Sequence, residues 1–143
     1  MSELKELAAE AKHELLTHII PFWRGMRDDK FGGYYGYLSY DLALDEKAEK
    51  GCILNSRITW FFANAYLLYK DGGISEEECE AAGFKGEDLL AEAKHGYEFL
   101  REHCIDKEYG GIFWSLNYDG TPLDTTKHTY NQAFCIYCLL YTS

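Results

Sequence analysis

The residue with the clearest chemical potential is Arg57, in Asn55-Ser56-Arg57-Ile58-Thr59-Trp60-Phe61-Phe62, where an apolar stretch with almost no other charge opens. An arginine among apolar neighbours is costly to bury unless it is paired or faces a polar cavity. Two readings follow. In one, Arg57 faces a cavity and its fork of donors holds an oxygen-rich ligand or a developing enediolate. In the other it forms a structural ion pair with a loop carboxylate such as Asp41 or Asp45. Tyr130 and Asn131, in Lys127-His128-Thr129-Tyr130-Asn131-Gln132-Ala133-Phe134, open the next apolar stretch. Their hydroxyl and amide could reach the same cavity, or could cap and pack a helix start.

Other reactive residue types are less suggestive. His13, His18, His95 and His103 fall on amphipathic stretches and read as surface or partial-core residues; only His128 sits near the opening of an apolar stretch. No pair has metal-ligand spacing, and neither HExxH nor a nucleophile elbow occurs. Gly32-Gly33 lacks the GxGxxG frame of a phosphate loop. Asp28, Asp29, Asp41 and Asp45 could imitate a paired-carboxylate site, but beside Lys30 and Lys47 they read as solvated turns. Cys135 and Cys138 form a CxxC inside an apolar run with no second ligand pair, so they read as buried thiols in a reducing compartment.

These residues need elements to position them. Apolar spacing predicts four helices: about 2–23, ended by Pro21; about 55–69; about 86–104; and one opening near Thr126. The first and third are amphipathic, and the second and fourth are apolar on nearly all faces, as expected of two concentric helical layers. An internal echo supports this: Asp28-Asp29-Lys30-Phe31-Gly32-Gly33 recurs as Asp106-Lys107-Glu108-Tyr109-Gly110-Gly111, 78 positions on (111 − 33 = 78). Tyr40-Asp41 is matched by Tyr118-Asp119, and Lys50 by Lys127 with one residue of slippage. Each Gly-Gly leads into aromatic alternation and a turn, predicting a short hairpin between an outer and an inner helix. Two repeats cannot close a ring, so residues 1–143 are expected to form a partial domain truncated at its C-terminus.

A net charge of −10 argues against nucleic acid and anionic membrane surfaces and favours a neutral small-molecule partner. Aromatics are 16% of the chain, a proportion that suits sugar faces, although each tyrosine is also a reasonable core filler. No secretory signal or membrane-spanning stretch is visible, which with the thiols gives a cytoplasmic expectation.

Taken together, Ile19-Ile20-Pro21-Phe22-Trp23, Gly32-Gly33-Tyr34-Tyr35-Gly36, Lys50-Gly51-Cys52-Ile53-Leu54 running into Ser56-Arg57-Ile58-Thr59-Trp60, Ala93-Lys94-His95-Gly96-Tyr97-Glu98-Phe99 and Lys127-His128-Thr129-Tyr130 resemble the N-acylglucosamine 2-epimerase family, most closely its cellobiose (mannobiose) 2-epimerase branch. Asn55 and Thr59 depart from the His and Leu common there. The resemblance implies an all-α fold, the N-terminal portion of an (α/α)6 barrel. It implies a cofactor-free, metal-free isomerase that inverts C2 of a disaccharide's reducing-end sugar through ring opening and an enediolate. Arg57 would be catalytic, with Tyr130, Trp60 and Asn131 binding substrate; the catalytic histidines would lie beyond Ser143, leaving this piece inactive. A monosaccharide epimerase or aldose–ketose isomerase, a glycoside hydrolase on the same barrel, and a non-catalytic carbohydrate-binding module are the alternatives.

Overall fold

A computed structural model describes residues 2–140. In chain order it contains helix α1 (Ser2–Glu14), a π-helical turn (Leu15–Ile19), α2 (Ile20–Gly25), strand β1 (Lys50–Gly51), α3 (Cys52–Lys70), α4 (Glu76–Ala81), α5 (Gly86–Phe99) with a π-helical turn (Leu100–Cys104), β2 (Ser115–Leu116), β3 (Pro122–Asp124) and α6 (Thr129–Leu140). The four predicted helices are all present. Helix α5 packs on α3, and α3 packs on α6, which places α3 between an outer and an inner neighbour.

Pro21 does not end the first helix. The π-turn ahead of it routes the Ile20 N–H to the Leu15 carbonyl, and the widened turn gives the proline ring room to sit in the first turn of α2. Helix α1 itself buries no residue, and Leu4 and Leu7 on it are 72% and 61% exposed. Its tethers lie near its end, where Lys12 meets Glu78 at 2.7 Å and the Gly73 carbonyl at 3.4 Å. Helix α4 has no counterpart among the predicted segments. It begins with a capping box in which Ser75 Oγ accepts from the Glu78 N–H and Glu78 accepts from the Ser75 N–H.

The predicted hairpin forms between β2 and β3, with Ser115 opposite Asp124 and the Asn117 N–H donating to the Thr121 carbonyl. β1 adds to its other edge, Lys50 opposite Leu116, so the segment entering α3 is sewn to the following repeat. The earlier echo makes a looser version, with Leu38 bridging Leu44 and the Ser39 N–H donating to the Ala43 carbonyl.

The echoed loops are one module built twice. Asp28 Oδ1 accepts from the N–H groups of Lys30 and Phe31, and Asp106 Oδ1 from those of Glu108 and Tyr109. The Lys50 ammonium pairs with Asp28 at 2.6 Å, and Lys127 pairs with Asp106. Asn55 Oδ1 takes the Tyr34 N–H at 2.9 Å, as Gln132 Oε1 takes the Ile112 N–H at 2.7 Å. Gly33, at φ +67°, is required twice over, since a Cβ there would stand 2.6 Å from the Phe99 ring and 2.7 Å from Asn55 Oδ1. Gly96 serves packing instead: a Cβ would run into Thr59 Oγ1, so its absence lets α5 close on α3.

Two buried apolar clusters result. One joins Leu16, Ile20, Tyr34, Ile58, Phe62 and Leu89; the other joins Cys52, Phe99, Leu100, Cys104, Leu116 and Cys135. Among the described residues no helix is long and apolar enough to cross a membrane.

Candidate functional site

Helix α3 owes its burial to Cys52, Asn55, Ser56, Ile58, Thr59 and Phe62, which occupy the faces turned to α5 and the hairpins. Arg57 falls on the remaining face and is exposed. It lines an open cavity of about 460 Å³ whose walls include Trp23, Trp60, Phe134 and Tyr137. Of the two readings of Arg57, the ion pair does not form: among the described residues no carboxylate lies within salt-bridge distance of it. Asp41 instead accepts from Ser39 Oγ at 2.5 Å, and Asp45 accepts from the Lys47 N–H at 2.9 Å, both within turns. The contact that Arg57 does make is with an aromatic ring, its Cζ lying over Phe134 at 5.7 Å from the centroid.

Trp60 lines the same cavity one turn further along α3 and stacks on Tyr137 of α6 at 6.3 Å between centroids. Its indole Nε1 is buried and has no hydrogen-bond partner among the described residues. Tyr130 is 58% exposed at the first turn of α6, with its ring 4.7 Å from that of Phe134. Asn131 turns the other way. It is fully buried, donates to the Phe113 carbonyl at 2.7 Å and accepts from Cys135 Sγ at 3.7 Å, so its amide holds the second hairpin to α6.

The repeat spacing explains this. Lys127 follows Lys50 by 77 positions (127 − 50 = 77), and the same interval separates Gln132 from Asn55, Phe134 from Arg57 and Tyr137 from Trp60. Phe134, rather than Tyr130 or Asn131, is therefore the repeat equivalent of Arg57. The one-residue slippage between the Gly-Gly echo and the lysines carried that information in the sequence. The two unusual residues of the block, Asn55 and Thr59, are both buried away from Arg57: Asn55 holds the Tyr34 N–H, and Thr59 Oγ1 donates to the Asn55 carbonyl at 2.8 Å.

Asp28 is the exception to the solvated-turn expectation. It is 1% exposed, and its loop needs it for the Lys50 pair. Burial pushes its carboxyl up, but the Lys50 ammonium and the N–H groups of Phe31 and Lys30 prevail and hold it below the usual carboxylate range. The Cys135 thiol is pushed up to about 11 by burial, which keeps it protonated and unreactive near neutrality. All five cysteines are free and buried. The histidines stay out of the cavity. His95, half-buried, bonds the Gly33 carbonyl at 2.8 Å; His128 lies edge-on to Trp114; His18 pairs with Glu14 on the surface. Among the described residues no group of His, Cys, Asp or Glu could hold a metal ion.

The site thus offers a cation with free donors between aromatic walls, suited to a neutral, oxygen-rich ligand. Among the described residues its lining includes no imidazole or carboxylate to move a proton.

Comparison with known proteins gives the family. Residues 33–140 match the family model for N-acylglucosamine 2-epimerase. The chain is 51% identical over 133 residues to a cellobiose 2-epimerase of Ruminococcus albus, covering 93% of this chain and 30% of that protein. It is 53% identical over 126 residues to a cellobiose 2-epimerase of Eubacterium cellulosolvens, covering 88% and 27%. The structure of cellobiose 2-epimerase from Bacillus thermoamylovorans B4167 superposes with a TM-score of 0.84 at 38% identity, covering 96% of this chain and 32% of that one. The chain spans about a third of the length of the relatives it matches, and its helices form the N-terminal portion of an (α/α)6 barrel. With the match running from Gly33 to Leu140, across the second echoed module and the Arg57 wall, the chain belongs to the N-acylglucosamine 2-epimerase family.

Proposed function

We propose that this chain supplies the Arg57 wall of a cellobiose 2-epimerase-like active site, in a barrel whose remaining wall is built by further sequence. The carrying observation is the Arg57 guanidinium, without a carboxylate partner among the described residues, facing an aromatic-walled cavity. Proton abstraction beside a carbonyl puts negative charge on oxygen, and a fixed array of N–H donors stabilises that charge as it develops. The reducing-end sugar opens, loses its C2 proton to a base, passes through an enediolate held by Arg57, and regains a proton on the opposite face. Trp60 and Tyr130 contribute ring surface and a hydroxyl toward the sugar.

Acid and base are the role of two histidines outside residues 1–143, since the cavity lining among the described residues includes no imidazole or carboxylate. The partial domain is inactive alone in this reading. The substrate is a β-1,4-linked disaccharide, and the buried free thiols fit a reducing, cytoplasmic location.

The test uses the full-length protein that contains these residues, incubated with cellobiose and followed by NMR of the anomeric protons. Conversion to glucosyl-mannose is expected. Release of free glucose would replace this reading with a hydrolase, and turnover of free mannose alone would replace it with a monosaccharide isomerase. Binding without any product would leave a carbohydrate-binding module.

A further inference from the structure

Among the described residues Arg57 has no carboxylate to aim it, yet a mobile guanidinium stabilises a transition state poorly because it must reorganise as charge develops. What it does have is the Phe134 ring, 5.7 Å from Cζ. That ring in turn packs against Tyr130, at 4.7 Å and 56° between planes. The next rung of the same two helices repeats the arrangement, with Trp60 stacked on Tyr137. Both rungs join positions 77 apart (134 − 57 = 77 and 137 − 60 = 77), so each is a contact between equivalent places on adjacent inner helices.

We infer that Phe134 is a positioning residue that orients Arg57 through a cation–π contact and leaves its N–H donors free for the ligand; this rests on the epimerase reading proposed above. A carboxylate in this place would also orient the guanidinium, but it would occupy two of the five donors and cancel the charge the enediolate needs. A ring face engages the π surface of the guanidinium and leaves its in-plane donors open. Tyr130 acts one step further out, by bracing the ring.

Kinetics of the full-length enzyme on cellobiose test this. Phe134→Leu keeps an apolar side chain but removes the quadrupole, and it is expected to lower kcat about tenfold while KM moves less than about threefold. Phe134→Tyr retains the ring and is expected to recover at least half of wild-type kcat. In an Arg57→Lys background, Phe134→Leu is expected to cost clearly less than in wild type. A Phe134→Leu enzyme within twofold of wild-type kcat, or equal losses in the wild-type and Arg57→Lys backgrounds, overturns the inference. A loss in Phe134→Tyr as large as in Phe134→Leu does the same, because simple packing then explains the effect. If Phe134→Leu does not fold, Phe134→Met takes its place under the same criteria. Should Arg57→Ala turn over at the wild-type rate, the underlying reading of Arg57 fails instead, which separates the two failures.

Discussion

At the scale of single residues, the environment of Arg57 is what distinguishes it. Several arginines and lysines have an assigned carboxylate: Arg24 and Arg27 converge on Glu92, Lys50 on Asp28 and Lys127 on Asp106. Glu92, only 4% exposed, also accepts from the Tyr34 hydroxyl at 3.1 Å, and burial beside that carboxylate pushes the Tyr34 phenol well above its ordinary range. Such pairing is structural. Arg57 is spared from it and turned to a cavity. Arg57→Ala in the full-length enzyme is expected to lower kcat by about 10²–10³, the usual cost of losing a preorganised donor array. Its melting temperature should stay within a few degrees of wild type, because an exposed side chain is removed. A large thermal loss with little kinetic effect would make Arg57 a structural residue.

At the scale of elements, the Asp28–Lys50 clasp fixes the strand-to-helix junction from which Arg57 projects. Breaking a buried pair leaves a stranded charge, so Asp28→Asn is expected to destabilise the protein by about 3–5 kcal/mol at neutral pH. The pH dependence follows from the depressed Asp28 carboxyl. A group whose pKa is lowered on folding contributes stability above its unfolded value, near pH 4, and loses it as pH falls toward its folded value. The stability gap between wild type and Asp28→Asn should therefore be full at pH 7 and narrow below about pH 4, as read from urea titrations across that range. A gap independent of pH would show that the ion pair contributes nothing to the clasp.

Much of this element scale was legible in the chain. The 3.6-residue apolar spacing located the long helices, because an inner helix apolar on most faces has few other folds open to it. The Gly-Gly echo located the hairpins. The Asp28–Lys50 and Asp106–Lys127 clasps were present only as a repeat without a reason, since spacing reveals recurrence and not which side chains meet. The direction Asn131 takes was not legible, because a polar residue at a helix start can face either a cavity or a neighbouring strand. The bond to the Phe113 carbonyl, which decides the matter, is made across 18 residues. Helix α4 was missed although Ser75 and Glu78 carry a capping signature, because six residues are too few to display a period.

At the scale of the whole molecule, apolar side chains remain uncovered on the flanks of the layers. Ile136 and Leu140 on α6 are 62% and 70% exposed, and Leu4 and Leu7 on α1 are similarly open. These are the two ends of the helical array, the places where a ring of such repeats would receive further neighbours. The cavity is open for the same reason: α3 and α6 form one wall of it. In the proposed reading, catalysis belongs to the closed barrel, with Arg57 on this wall and the proton carriers opposite. The measurement that bears on this most directly is isotope incorporation by the full-length protein acting on cellobiose in deuterated water. One deuterium at C2 of the epimerised reducing-end sugar, with the glycosidic bond intact, is predicted. An epimer formed with its original C2 hydrogen retained, or no exchange at C2 at all, would contradict it.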